Sequence, residues 1–78
     1  MENNFRTADE YNFHVSTLKD IIKRNVQIIR DLEIIRDNTY YPTGIDGVIT
    51  HIRYANIRFE NEIEQATKSF KQSTGEQQ

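Results

Sequence analysis

Apolar residues in the first half of the chain fall into two helical rows. Tyr11, Val15, Leu18, Ile22, Val26 and Ile29 recur at steps of three and four, and Leu18, Ile21, Ile28, Leu32 and Ile35 form a second row beside them. The spacing predicts a helix over 7–37. Thr7-Ala8-Asp9-Glu10 marks its start as a capping box, in which a threonine oxygen and a glutamate three residues on satisfy the first free amides. The acidic pair also suits the positive end of the helix dipole. Glycine and proline are absent before Tyr41; Pro42, Gly44 and Gly47 then cluster, which places a turn at 38–44. Pro42 biases Tyr41 away from helical geometry, and Thr43 with Asp46 offers a weaker cap for a second helix over 45–71. Residues 1–6 and 73–78 carry no period and read as flexible ends around one helical hairpin domain at 7–72.

Ile49, Ile52, Phe59, Ile63, Ala66 and Phe70 alternate steps of three and four, with Asn56 in the one missing place. In an antiparallel hairpin, facing residues have numbers with a constant sum, and a sum of about 81 aligns both rows. It pairs Leu32 with Ile49, Ile29 with Ile52, Ile22 with Phe59, Leu18 with Ile63, Val15 with Ala66 and Tyr11 with Phe70. The same rule sets Asn25 opposite Asn56. Two amides meeting in an apolar seam fix register at some cost in stability, so these form the expected register pair.

The apolar arc of helix one is wider than one partner helix can cover. Ile21, Ile28 and Ile35 recur every seventh residue on the flank of the seam, with His14 one step earlier. A lone hairpin of this length encloses no core, so the expected architecture is all-α: an antiparallel two-helix hairpin, coiled-coil-like in its seam, that dimerises into a four-helix bundle. His14, Ile21, Ile28 and Ile35 would form the dimer interface. A different protein covering the same row is the rival arrangement.

Composition narrows the function. The chain has 78 residues, 36% of them hydrophobic and 28% charged, and a net charge of −2, which is the profile of one small soluble domain. The longest apolar runs are isoleucine pairs, far short of the roughly 20 residues needed to cross a bilayer, so no membrane span is expected. The start Met-Glu-Asn-Asn-Phe-Arg does not read as a secretory signal, and the expected location is the cytoplasm. Without cysteine there is no disulfide, zinc-thiolate site or iron–sulfur cluster, and packing or association must supply the stability. Isoleucine and asparagine outnumber alanine and glycine, as in small proteins of AT-rich genomes, bacteriophages among them.

No constellation points to catalysis, and no cofactor is expected. His14 and His51 are not neighbours on the hairpin; His14 falls near Thr67 and His51 beside Arg30, as a half-buried and a surface residue respectively. Glu10 and His14, four apart, supply only two ligands beside a helix end, so metal binding is not expected. Ser16, Thr17 and Ser69 have no histidine base. Glu64 with Lys68 and Glu62 with Arg58 read as helix-surface pairs. Gly44-Ile45-Asp46-Gly47 lacks the lysine of a phosphate loop. Lys19, Lys23 and Arg30 share one side of helix one, flanked by Arg24 and Arg36, but Asp20, Asp31, Glu33 and Asp37 interleave with them and the isoelectric point is about 5.6. Nucleic-acid binding is therefore the less favoured reading.

More informative is the back of helix two. Tyr54 and Ile57 point about 140° to 160° away from the seam, and with Thr50 and Asn61 they form a small apolar patch with a polar rim, a typical protein-docking surface. Ile34, Tyr40 and Tyr41 gather a second patch at the hairpin tip. The sequence thus implies a non-enzymatic helical module, of the phage or mobile-element regulator or inhibitor type, that binds another protein and regulates or recruits it. The alternative is a dimeric helical protein that binds nucleic acid or regulates transcription.

Overall fold

The first helix begins where Thr7 leaves extended geometry. Its φ of −138° and ψ of 163° turn the hydroxyl oxygen onto the Glu10 amide, which donates to it at 3.1 Å. The computed structural model describes residues 7–40 and 44–75 and contains two α-helices, α1 at Ala8–Asp37 and α2 at Ile45–Gly75. Residues 1–6, Tyr41, Pro42, Thr43 and 76–78 lie outside the described residues, and with them the expected N-terminal segment, the second threonine cap and part of the turn and tail. α2 continues past Lys71, so residues 73–75 are helical rather than part of a loose tail. An apolar period marks only the stretch of a helix that packs; backbone hydrogen bonds propagate further where no proline stops them.

α1 ends without a left-handed residue, and no described residue has positive φ. Side chains do the capping instead. Asn38 Nδ2 donates to the Ile34 carbonyl at 2.7 Å, and Thr39 Oγ1 donates to the Ile35 carbonyl at 2.6 Å. Across the turn, Arg36 Nη1 donates to Asp46 Oδ1 at 2.8 Å while its Nε reaches Asp37 at 3.2 Å, tying the end of α1 to the start of α2. These two hydrogen bonds, that of Asp46 first, push the exposed guanidinium further above its already high ordinary pKa.

The two helices pack antiparallel, as the all-α hairpin reading requires. At the end far from the turn, the rings of Tyr11 and Phe70 stack with centroids 4.3 Å apart and planes 9° from parallel, and the Tyr11 hydroxyl shares a 2.8 Å hydrogen bond with Thr67 Oγ1. Between that stack and the Arg36 tie, the seam buries Ile29, Ile49 and Ala66, with Ile49 only 2% exposed. Other seam residues, among them Leu18, Ile22, Leu32, Ile52, Phe59 and Ile63, are half-buried. Val26, placed in the seam by its spacing, instead stands 38% exposed at the edge. The reason is geometric: Asn25, one position earlier, takes the seam place opposite Asn56, which rotates Val26 off the contact line. The molecule measures 61 × 20 × 14 Å, with a radius of gyration of 17.4 Å. A compact domain of this length would have about 11 to 12 Å. No helix among the described residues is long and apolar enough to cross a membrane.

Candidate functional site

Asn25 and Asn56 meet in the middle of the seam. Asn25 Nδ2 donates to Asn56 Oδ1 at 2.8 Å, and Asn56 Nδ2 donates to the Ile22 carbonyl at 3.3 Å. The second bond was not legible in the sequence. It matters because Asn56 is buried, and an amide lacking a partner there would cost about 1 to 3 kcal/mol. Both hydrogen bonds depend on one register, since a shift of the helices would carry Asn56 away from Asn25 and from that carbonyl.

Two cross-helix side-chain contacts define the two broad faces of the hairpin. On one, His14 Nε2 lies 3.5 Å from Glu62 Oε2. His14 begins the row of Ile21, Ile28 and Ile35; Glu62 ends a row at the same spacing of seven that contains Val48 and Ala55. Their contact shows that these rows line the same face. The structure leaves Ile28 44%, Ile35 51% and Val48 46% exposed there, with Ile21 and Ala55 half-buried. His14 was expected near Thr67 and Glu62 beside Arg58. Thr67 bonds Tyr11, and Glu62 reaches across the hairpin to His14.

On the opposite face, Arg53 Nη2 donates to Glu33 Oε2 at 3.0 Å. Beside this pair lies an open groove of about 430 Å³ lined by Val26, Ile29, Arg30, Glu33, Asn56 and Ile57, with Arg53 on its rim. Its walls are the displaced Val26 from α1 and Ile57, 49% exposed, from α2. Sequence reasoning identified Ile57 but missed Val26, Arg30, Glu33 and Arg53; a position that fits the seam period yet adjoins an asparagine in the true seam was the available signal.

Tyr54, 62% exposed, does not share this groove. It lines a second one of about 430 Å³ with His51, Ala55, Arg58 and Phe59, on the side of α2 that carries Ala55. The expected patch of Thr50, Tyr54, Ile57 and Asn61 is thus exposed throughout, but its two apolar residues edge different grooves. At the tip Ile34 and Tyr40 are exposed, and Tyr41 lies outside the described residues. Phe13 is an isolated exposed ring on the outer side of α1. Glu64 and Lys68 form the expected surface pair at 3.6 Å. No group of three or more histidine or acidic residues able to hold a metal occurs among the described residues.

Comparison with protein families, curated proteins and solved structures finds no match to this chain.

Proposed function

We propose that this chain is a cytoplasmic, non-enzymatic interaction module that binds another protein through the outer surface of α2 and thereby recruits or regulates it. The observation that carries this reading is the groove between Val26 and Ile57. Val26, Ile29 and Ile57 give it apolar walls, Asn56 lies among them, and its volume of about 430 Å³ has room for one or two side chains. Such a groove suits a helix presenting apolar residues at spacings of three and four. The rim selects the charge of that helix. Arg53 is paired with Glu33, but Arg30 has no carboxylate partner among the described residues, so the favoured ligand is an amphipathic helix with an acidic residue beside its apolar contacts.

A pull-down from the native host with wild type, Ile57→Glu and Val26→Glu, followed by titration of the purified partner, tests this. The expected result is one protein held by wild type, with its affinity reduced at least tenfold by either substitution while helicity is unchanged. Equal retention by all three, or recovery of nucleic acid that elutes steeply with salt, overturns it and favours the nucleic-acid reading.

A further inference from the structure

The face opposite the groove is a different kind of surface. Its apolar residues come from both helices, Ile21, Ile28 and Ile35 from α1 and Val48 and Ala55 from α2, and the Tyr54 groove opens at its α2 edge. The chain exposes 6422 Å², whereas a compact monomer of its mass exposes about 5,000 Å². Elongation accounts for part of that surplus. The face runs along a molecule 61 Å long and 20 Å wide, an outline that can supply the about 1,000 Å² or more per partner of a permanent interface. The face also repeats every seven residues, the period of helices that pack nearly parallel to one another. A second hairpin offers what is missing: two straight helices of the same length, with the same period.

Two arrangements of a second copy bring this face onto itself, and the charges at its edge separate them. If the hairpins run in the same direction, each α1 packs on the partner's α2, at the heights already set by the seam. Arg24 then stands within one residue of a second arginine, Arg58, across the interface, and the clash occurs twice by symmetry. With hairpins in opposite directions, each α1 packs on its own copy. Centred on Ile28, this sets Ile21 against Ile35 and brings Arg24 within one residue of Asp31 of the other copy, again twice. Arg24, Asp31 and Arg58 are all exposed in the single hairpin; Asp31 accepts from Gln27 at 3.1 Å, and Arg24 and Arg58 make no ion pair among the described residues. We propose that a second copy of this chain covers the face, packed antiparallel about a twofold axis beside Ile28, to form a four-helix bundle with Arg24–Asp31 ion pairs along its edge.

The arrangement leaves the Val26–Ile57 groove on the outside, so it is independent of the proposed partner and is tested separately. Because the chain has no cysteine, Ile28→Cys introduces the sole thiol. Disulfide formation requires Cα atoms within about 7 Å. Across the twofold axis that condition is met. In the same-direction bundle the two copies of residue 28 sit on diagonally opposed helices, about 14 Å apart for neighbours spaced at about 10 Å. Wild type should sediment at twice 9.3 kDa at micromolar concentration, and Ile28→Cys should cross-link on mild oxidation. Arg24→Glu should weaken the dimer about tenfold at low salt, and adding Asp31→Arg should restore it. A wild-type species of 9.3 kDa overturns the proposal outright. A dimer that resists cross-linking, or that Arg24→Glu tightens, overturns the antiparallel packing. Both tests use exposed positions that the seam does not need, so a failure to fold cannot imitate either result.

Discussion

The two broad faces share one seam and differ in everything else. One presents a double row of aliphatic residues with a charged edge; the other presents a groove between the helices whose apolar walls stand between arginines and a glutamate. A repeating double row can be self-complementary, because a twofold operation maps its own spacing onto itself. A groove with a charged rim is not: it needs a convex ligand of opposite character. About thirty residues per helix leave room for the two recognition tasks proposed, since only about a third of the positions in each helix are buried or half-buried.

If the seam is the common frame, damage to it must destroy both faces together. Ile49 is the most buried aliphatic side chain, and Ile49→Ala should cost about 2 to 4 kcal/mol, through lost apolar burial and the cavity left behind. Chemical denaturation should show that loss, with dimerisation and partner binding falling in parallel. If one activity survives intact at a concentration where the other is lost, the faces do not share a frame.

The asparagine pair separates stability from specification. Asn56→Leu alone leaves Asn25 half-buried opposite an apolar side chain and should destabilise the hairpin by about 1 to 2 kcal/mol. The double change Asn25→Leu and Asn56→Leu removes both polar groups and should raise the melting temperature while broadening the mass distribution in sedimentation. A lower melting point at unchanged mass would show that the pair contributes net stability rather than register.

How much of this was written in the sequence follows from the same geometry. The helices, the Thr7 cap and the facing of Tyr11 with Phe70 were legible because each depends on local spacing or on one constant sum between two periodic rows. The Asn25–Asn56 contact was legible for the same reason: Asn56 fills the one missing place in its apolar row, and the constant sum sets Asn25 opposite it. The cross-helix pairs His14–Glu62 and Glu33–Arg53 were not, since long side chains off the seam reach about a turn along the axis in either direction and obey no fixed sum. The groove escaped for a subtler reason. Spacing assigned both Asn25 and Val26 to a seam that is too narrow for both, and only packing decides which one is turned outward.

Substitutions on one face should leave the other untouched. Ile57→Glu should alter folding stability by no more than about 0.5 kcal/mol, because the side chain is half-exposed and lies off the seam. The dimer mass should be unchanged while partner binding is lost. Unfolding by this substitution would place Ile57 in the core and remove the basis for treating the groove as a docking site.

The smallest expected effect is the one that reads the rim most directly. Glu33 and Arg53 form a surface pair, and removing its charge with Glu33→Gln should cost a few tenths of a kcal/mol at most, since exposed pairs are weakened by water and by side-chain entropy. Partner affinity should move the other way. With Glu33 neutral, Arg53 joins Arg30 as a second cation at the groove without a carboxylate partner, so an acidic helix should bind more tightly, and the gain should shrink as salt is raised. A basic or neutral ligand would show no gain, or a loss. The sign of one small change in binding thus reports the charge of the partner, although the same substitution barely registers in the stability of the fold.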